Sequence, residues 1–191
     1  MASDPAYLET FKQYAKSLPS GEDRDVMEME YYAEGDRACA ILQAIWTELI
    51  VERTLRARLR FEGAAQIFDV NGPISTFSDK IIMAYGMGIF GKKTRHDLNL
   101  IRHLRNGSAH CRLPLRFNTP EVKLVCDHLL LPDIDSLRAV PPFLLDHPVH
   151  NGGEWHDKNH PRQRYIICCY TVICGLFLLP PGNLETASEL P

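Results

Sequence analysis

Apolar residues recur at three- and four-residue steps along most of this chain, and nowhere do they alternate with polar residues over a useful strand length. Glu34 to Phe61 carries the strongest helical pattern. It has no proline, and Ile41, Ile45, Leu49, Glu52, Leu55 and Leu59 fall on its expected core-facing stripe. Asp69-Val-Asn-Gly-Pro reads as a turn. The next helix has a good start, with Ser75 or Thr76 as cap and Asp79 in its first turn; Phe77, Ile81, Ile82 and Tyr85 are its expected buried face up to Gly86. Thr94 or Asp97 is expected to open a further helix, whose Leu98, Ile101 and Leu104 run at helical spacing. Pro120 suits the first turn of another, with Val122, Val125, Cys126 and Leu129.

Two ends complete the pattern. Ala6 to Leu18 reads as a first helix inside an acidic segment, 1–33, that includes a linker. Residues 131–164 are rich in Pro, Asp, His and Gly and read as loops with short helical turns. Beyond them the uncharged run Tyr165–Leu179 is 15 residues long, short of the ~20 that a membrane span needs. With Arg162 and Arg164 before it and Pro180-Pro181 after it, it reads as a buried helix packed through Ile166, Ile167, Ile173, Leu176 and Phe177. The expected fold is all-α, a multi-helix bundle in a single domain over 1–191, with 34–130 as its core, a buried C-terminal helix and no significant sheet.

Composition changes this little: 45% apolar and 24% charged residues are ordinary globular values. Six irregularly spaced cysteines and a polar N-terminal stretch without a secretory pattern point to reduced thiols in the cytoplasm, with no membrane partner. Charge distribution says more. The net charge of −3 conceals a segment, 92–116, in which Lys92, Lys93, Arg95, Arg102, Arg105, Arg112 and Arg116 face Asp97 alone. Such a patch can hold a polyanion on an acidic protein, or pair with the acidic segments at either end of the chain.

That basic segment contains the most suggestive chemistry, Arg105-Asn106-Gly107-Ser108-Ala109-His110. Arginine offers a planar fork of donors for phosphate, and histidine moves a proton near neutral pH. The pair suits metal-independent RNA cleavage, with His110 as acid or base and Arg105 stabilising phosphorane charge. It equally suits a helix end, in which Asn106 and His110 bond free carbonyls. Two other patterns carry less. Gly86-Met-Gly88-Ile-Phe-Gly91 has the spacing of a dinucleotide fingerprint, but such a motif follows a strand, and Ile81 to Tyr85 reads as helix. His147, His150, His156 and His160 lie near Asp146, Glu154 and Asp157, yet Gly152-Gly153 and Pro161 favour a loop over a metal-binding helix. No cofactor and no metal are expected.

Several blocks in order resemble the mannitol operon repressor family: Gly72-Pro-Ile-Ser-Thr-Phe-Ser-Asp-Lys80, Ala84-Tyr-Gly-Met-Gly-Ile89, Asp97-Leu-Asn-Leu-Ile-Arg-His-Leu-Arg-Asn106, Ala109-His110, and Phe117-x-x-Pro120-x-Val122 with Cys126. The resemblance covers roughly 35–130. It implies an all-helical regulator of sugar-alcohol uptake genes. The Arg-Asn…Ala-His signature is also similar to the Arg-x4-x6-His motif of the wider HEPN superfamily, many of whose members are dimeric RNases. That similarity assigns catalytic roles to Arg105 and His110, with Asn106 in support, and implies a homodimer. Gly107-Ser108 departs from the bulkier residues expected there. The first expectation is therefore a non-enzymatic repressor that contacts DNA, RNA or a partner regulatory protein through Lys92, Lys93, Arg95, Arg102, Arg112 and Arg116. An endoribonuclease is the alternative, and a structural dimerisation module the second.

Overall fold

The computed structural model describes residues 35–59, 66–112, 115–130 and 160–177. Among them are five α-helices, one 3-10 turn at Gln66–Phe68 and no strand, so the all-α expectation holds. The helices are α1 Asp36–Arg58, α2 Phe77–Gly86, α3 Lys92–His110, α4 Pro120–Asp127 and α5 Pro161–Phe177. All lie in the unit Gly35–Pro191. The helix expected over Ala6–Leu18 and the His147–His156 cluster fall outside the described residues.

The centre of the bundle is α1, packed chiefly against α5 and α3, with α2 resting on α1 and α3 and α4 on α5. The helix carries no proline or glycine, begins with Asp36 and ends with Arg56 and Arg58, as its dipole favours. Its buried face keeps Leu55 of the expected stripe and corrects the rest of the sequence reading. Cys39, Ala40, Gln43, Ala44, Thr47, Ile50, Val51 and Leu55 turn inward, whereas Ile45 is 43% exposed and Ile41, Leu49 and Leu59 are half-buried. The small residues win that face because they let α5 and α3 approach closely. Thr47 meets its own polar demand by donating to the Gln43 carbonyl at 2.8 Å. Tyr165 of α5 donates to the Ala40 carbonyl at 2.7 Å. Its ring lies 5.4 Å from that of Phe117.

Before α2, the chain closes on itself so tightly that a Cβ at Gly72 would overlap the Ile67 carbonyl oxygen. The expected cap is present as a full capping box between Thr76 and Asp79. Phe77, Ile81 and Ala84 are buried, but Ile82 is 59% exposed. Lys80 takes the inward place instead, its Nζ 2.6 Å from Glu48 and 2.8 Å from Glu52 of α1. Gly88, at φ +67°, ends this region, and Ile89 N–H reaches back to the Ala84 carbonyl. The glycine run is a helix stop that follows a helix, as its sequence context indicated.

Further along, α3 starts earlier than expected. Gly91 precedes Lys92, and Thr94 and Asp97 are buried inside the helix and do not open it. Pro120 does start α4, and Val122, Cys126 and Leu129 are buried as expected. The apolar C-terminal helix begins at Pro161, so Arg162 and Arg164 belong to it. Arg164 Nε donates to the Cys126 carbonyl at 2.8 Å and its NH2 to the Leu129 carbonyl, closing the end of α4. Phe177, expected in the core, is 41% exposed beneath the Arg53 guanidinium. All six cysteines are free thiols. Among the described residues no helix is long and apolar enough to cross a membrane.

Candidate functional site on the outer face of α3

Helix α3 presses Thr94, Asp97, Leu98, Ile101, Leu104 and Ser108 into the bundle. The decisive inward residue is Asp97, the one acid of the basic segment. It is 1% exposed, accepts the Leu130 N–H at 2.9 Å and lies 3.5 Å from the Cys168 thiol. Burial, then the Asp97 charge, pushes that thiol well above its ordinary range.

The opposite side of α3 is left to bases and amides. Lys92, Lys93 and Arg95 are exposed and Arg102 and Arg105 half-buried. The Arg95 guanidinium sits 4.5 Å over the Tyr85 ring. Arg112 and Arg116 are exposed just beyond the helix. Sequence reasoning missed a regularity here. Lys92, His96, Asn99, His103, Asn106 and His110 follow one another at alternating steps of four and three, one continuous stripe. His96, His103 and His110 recur every seventh residue, and all three are exposed. At ~1.5 Å per residue the stripe is about 28 Å long.

The Arg105–His110 motif sits at the end of this stripe. Arg105 NH1 donates to Asn106 Oδ1 at 3.1 Å. About 140° around the helix from Arg105, His110 is exposed, and no hydrogen bond joins the two. The helix runs unbroken through Gly107 and Ser108 to His110, so these small residues do not end it early. Nor do Asn106 and His110 cap it. Arg37 of α1 takes that role, donating to the Cys111 carbonyl at 2.9 Å.

Elsewhere on the stripe two histidines make defined contacts. His96 Nε2 lies 3.1 Å from the His128 carbonyl of the α4 end. His103 Nε2 lies 3.2 Å from Arg102 NH2. Among the described residues no group of three or more His, Cys, Asp or Glu could hold a metal ion. No family model, curated protein or solved structure matches this chain.

Proposed function

We propose that this chain is a non-enzymatic regulator of the mannitol operon repressor type, a cytoplasmic homodimer that modulates a carbohydrate-uptake operon. In this reading α3 holds the polyanion, and the contact is with nucleic acid or with a partner regulatory protein. The operon assignment rests on the sequence resemblance. The polyanion assignment rests on one observation: Asp97 is turned into the core, so no acid of α3 itself lies among the cations of its outer face. A second feature supports it. Lys92, Lys93 and Arg95 crowd the first turn, where the helix dipole is already positive and no acid is present. A local rule broken without internal compensation is typical of a functional surface.

Fluorescence anisotropy with a labelled DNA duplex tests this reading. Affinity should fall steeply with salt, with a log–log slope of roughly −0.9 for each phosphate engaged. Changing Lys92, Lys93, Arg95 and Arg102 together to Gln should flatten that slope by about 3 while leaving the fold intact. A wild-type protein that fails to bind at 50 mM salt, or a slope indifferent to those substitutions, rejects the polyanion assignment.

The endoribonuclease alternative draws on the half-buried Arg105, tied to Asn106, about 1.4 helical turns before the exposed His110. End-labelled single-stranded RNA incubated in EDTA decides it. Cleavage by the wild type, but not by Arg105→Ala or His110→Ala, establishes a metal-independent RNase; intact RNA with all three removes the enzyme.

A further inference from the structure

We propose that His103 is a proton-operated latch on Arg102, so that the α3 face binds phosphate more tightly as pH falls. The proposal rests on the polyanion reading of α3 and adds its regulation. It starts from which atom can donate. A guanidinium only donates, so the 3.2 Å approach of Arg102 NH2 to His103 Nε2 is a hydrogen bond only while Nε2 carries no proton and can accept. His96 is placed the other way round. Its Nε2 faces a carbonyl oxygen and must donate, a contact that survives protonation.

Protonating His103 therefore does two things at once. It sets a second N–H against the Arg102 N–H, which breaks the contact, and it places two cations side by side. Arg102 is then free to turn its fork outward. Among the described residues it is otherwise short of partners, since its Nε is buried and unbonded and its NH2 meets only His103. A phosphate oxygen would satisfy both cations, as bidentate arginine–phosphate contacts do.

The surrounding charges fit this. Lys92, Arg95, Arg105 and His110 share the helix. From α1 comes Arg37, bound at the Cys111 carbonyl, and from α2 Tyr85, beneath Arg95. The α4 end brings His128 and the Lys123–Asp127 ion pair, and α5 brings Arg164, engaged with the Cys126 and Leu129 carbonyls. Asp97, the one carboxylate of α3, is buried and Asp127 is held 2.7 Å from Lys123, so neither competes for the released guanidinium.

The test is binding of the same labelled duplex in 0.1 M salt at pH 8 and pH 6. Wild type should bind roughly tenfold tighter at pH 6, about the worth of one added phosphate contact at that salt. His103→Gln, which still accepts from Arg102 but takes no proton, should lose most of the tightening between pH 8 and pH 6. His103→Ala should bind several-fold tighter than wild type at pH 8, because Arg102 is freed without a proton, and adding Arg102→Gln should cancel that gain. Binding that is equally tight at both pH values, His103→Ala no tighter than wild type at pH 8, or His103→Gln tightening as wild type does, each overturns the latch alone. No binding by wild type at either pH overturns the polyanion reading, and the latch with it.

Discussion

Replacing Lys80 by alanine is expected to lower folding stability by about 3 kcal/mol, because it removes the cation from a buried triad and leaves two carboxylates behind. The Lys80 side chain is 7% exposed and bridges Glu48 and Glu52 across the α1–α2 contact. Burial alone would lower the Lys80 pKa, but hydrogen bonds to Glu48 and Glu52 outweigh it and hold the ammonium above its ordinary range. Burial likewise works to raise Glu52, yet the bonds from Lys80 and Arg56 hold it below the usual carboxylate range. These directions set the pH dependence. The Glu52 contribution is present above the unfolded carboxylate value, about 4.3, and is lost as pH falls through the lower folded one. That of Lys80 is present below about 10.4 and is lost as pH rises through its higher folded value. Urea titrations of Lys80→Ala should therefore show a reduced midpoint at pH 7 and a flatter loss of stability between pH 5 and 3. Replacing Lys80, Glu48 and Glu52 together by Met and Leu should recover most of the loss, since an apolar trio leaves no buried charge uncompensated. A Lys80→Ala protein as stable as wild type at pH 7 would mean that the triad is solvated in solution.

Lys80 also marks how far this fold can be read from its residues. The capping box at Thr76, the stop at Gly86–Gly88 and the start at Pro120 were legible because each is local chemistry, a side chain bonding its own backbone or a ring setting its own φ. The face of α1 was not. Periodicity favoured its largest apolar residues, but the bundle selected Cys39, Ala40, Ala44 and Thr47, small enough for helices α3 and α5 to come close. Ile82 went outward for a related reason: the inward place beside it is filled by a lysine whose partners lie 28 and 32 positions back along the chain. The same distinction applies to the candidate site. That 92–116 is basic could be counted, and the seven-residue recurrence of His96, His103 and His110 was there to be counted as well. That Asp97 points inward, and that Arg37 rather than Asn106 or His110 closes the end of α3, depends on partners far away in sequence.

Truncating Phe117 to alanine is expected to cost about 3–5 kcal/mol and to lower the melting temperature by roughly 10 °C or more. Phe117 lies between α3 and α4, is 1% exposed and packs its ring against Tyr165. Its backbone N–H also donates to Asp36 at 2.8 Å, and Asp36 in turn pairs with Arg162 at 3.3 Å. One residue thus fastens the connection after α3 to the starts of both α1 and α5. Alanine keeps the backbone bond but loses the ring, so the loss is a cavity beside Tyr165 and the neighbours relax only in part. Phe117→Leu, which nearly conserves volume, should cost less than about 2 kcal/mol. On the polyanion reading proposed above, the two halves of the basic surface should respond differently. Lys92 to Arg102 are carried by the stretch of α3 anchored through Leu98, Ile101 and Leu104, so at a temperature where Phe117→Ala is folded their share of duplex binding should persist. Arg112 and Arg116 lie in or beside the segment that Phe117 pins, and their share, roughly 0.9 in salt slope per phosphate contact, should be lost first. Calorimetry and salt-dependent anisotropy on the same variant measure both effects. A Phe117→Ala protein that is fully folded at low temperature yet binds no duplex would show that the basic surface works through Arg112 and Arg116 and not through the length of α3.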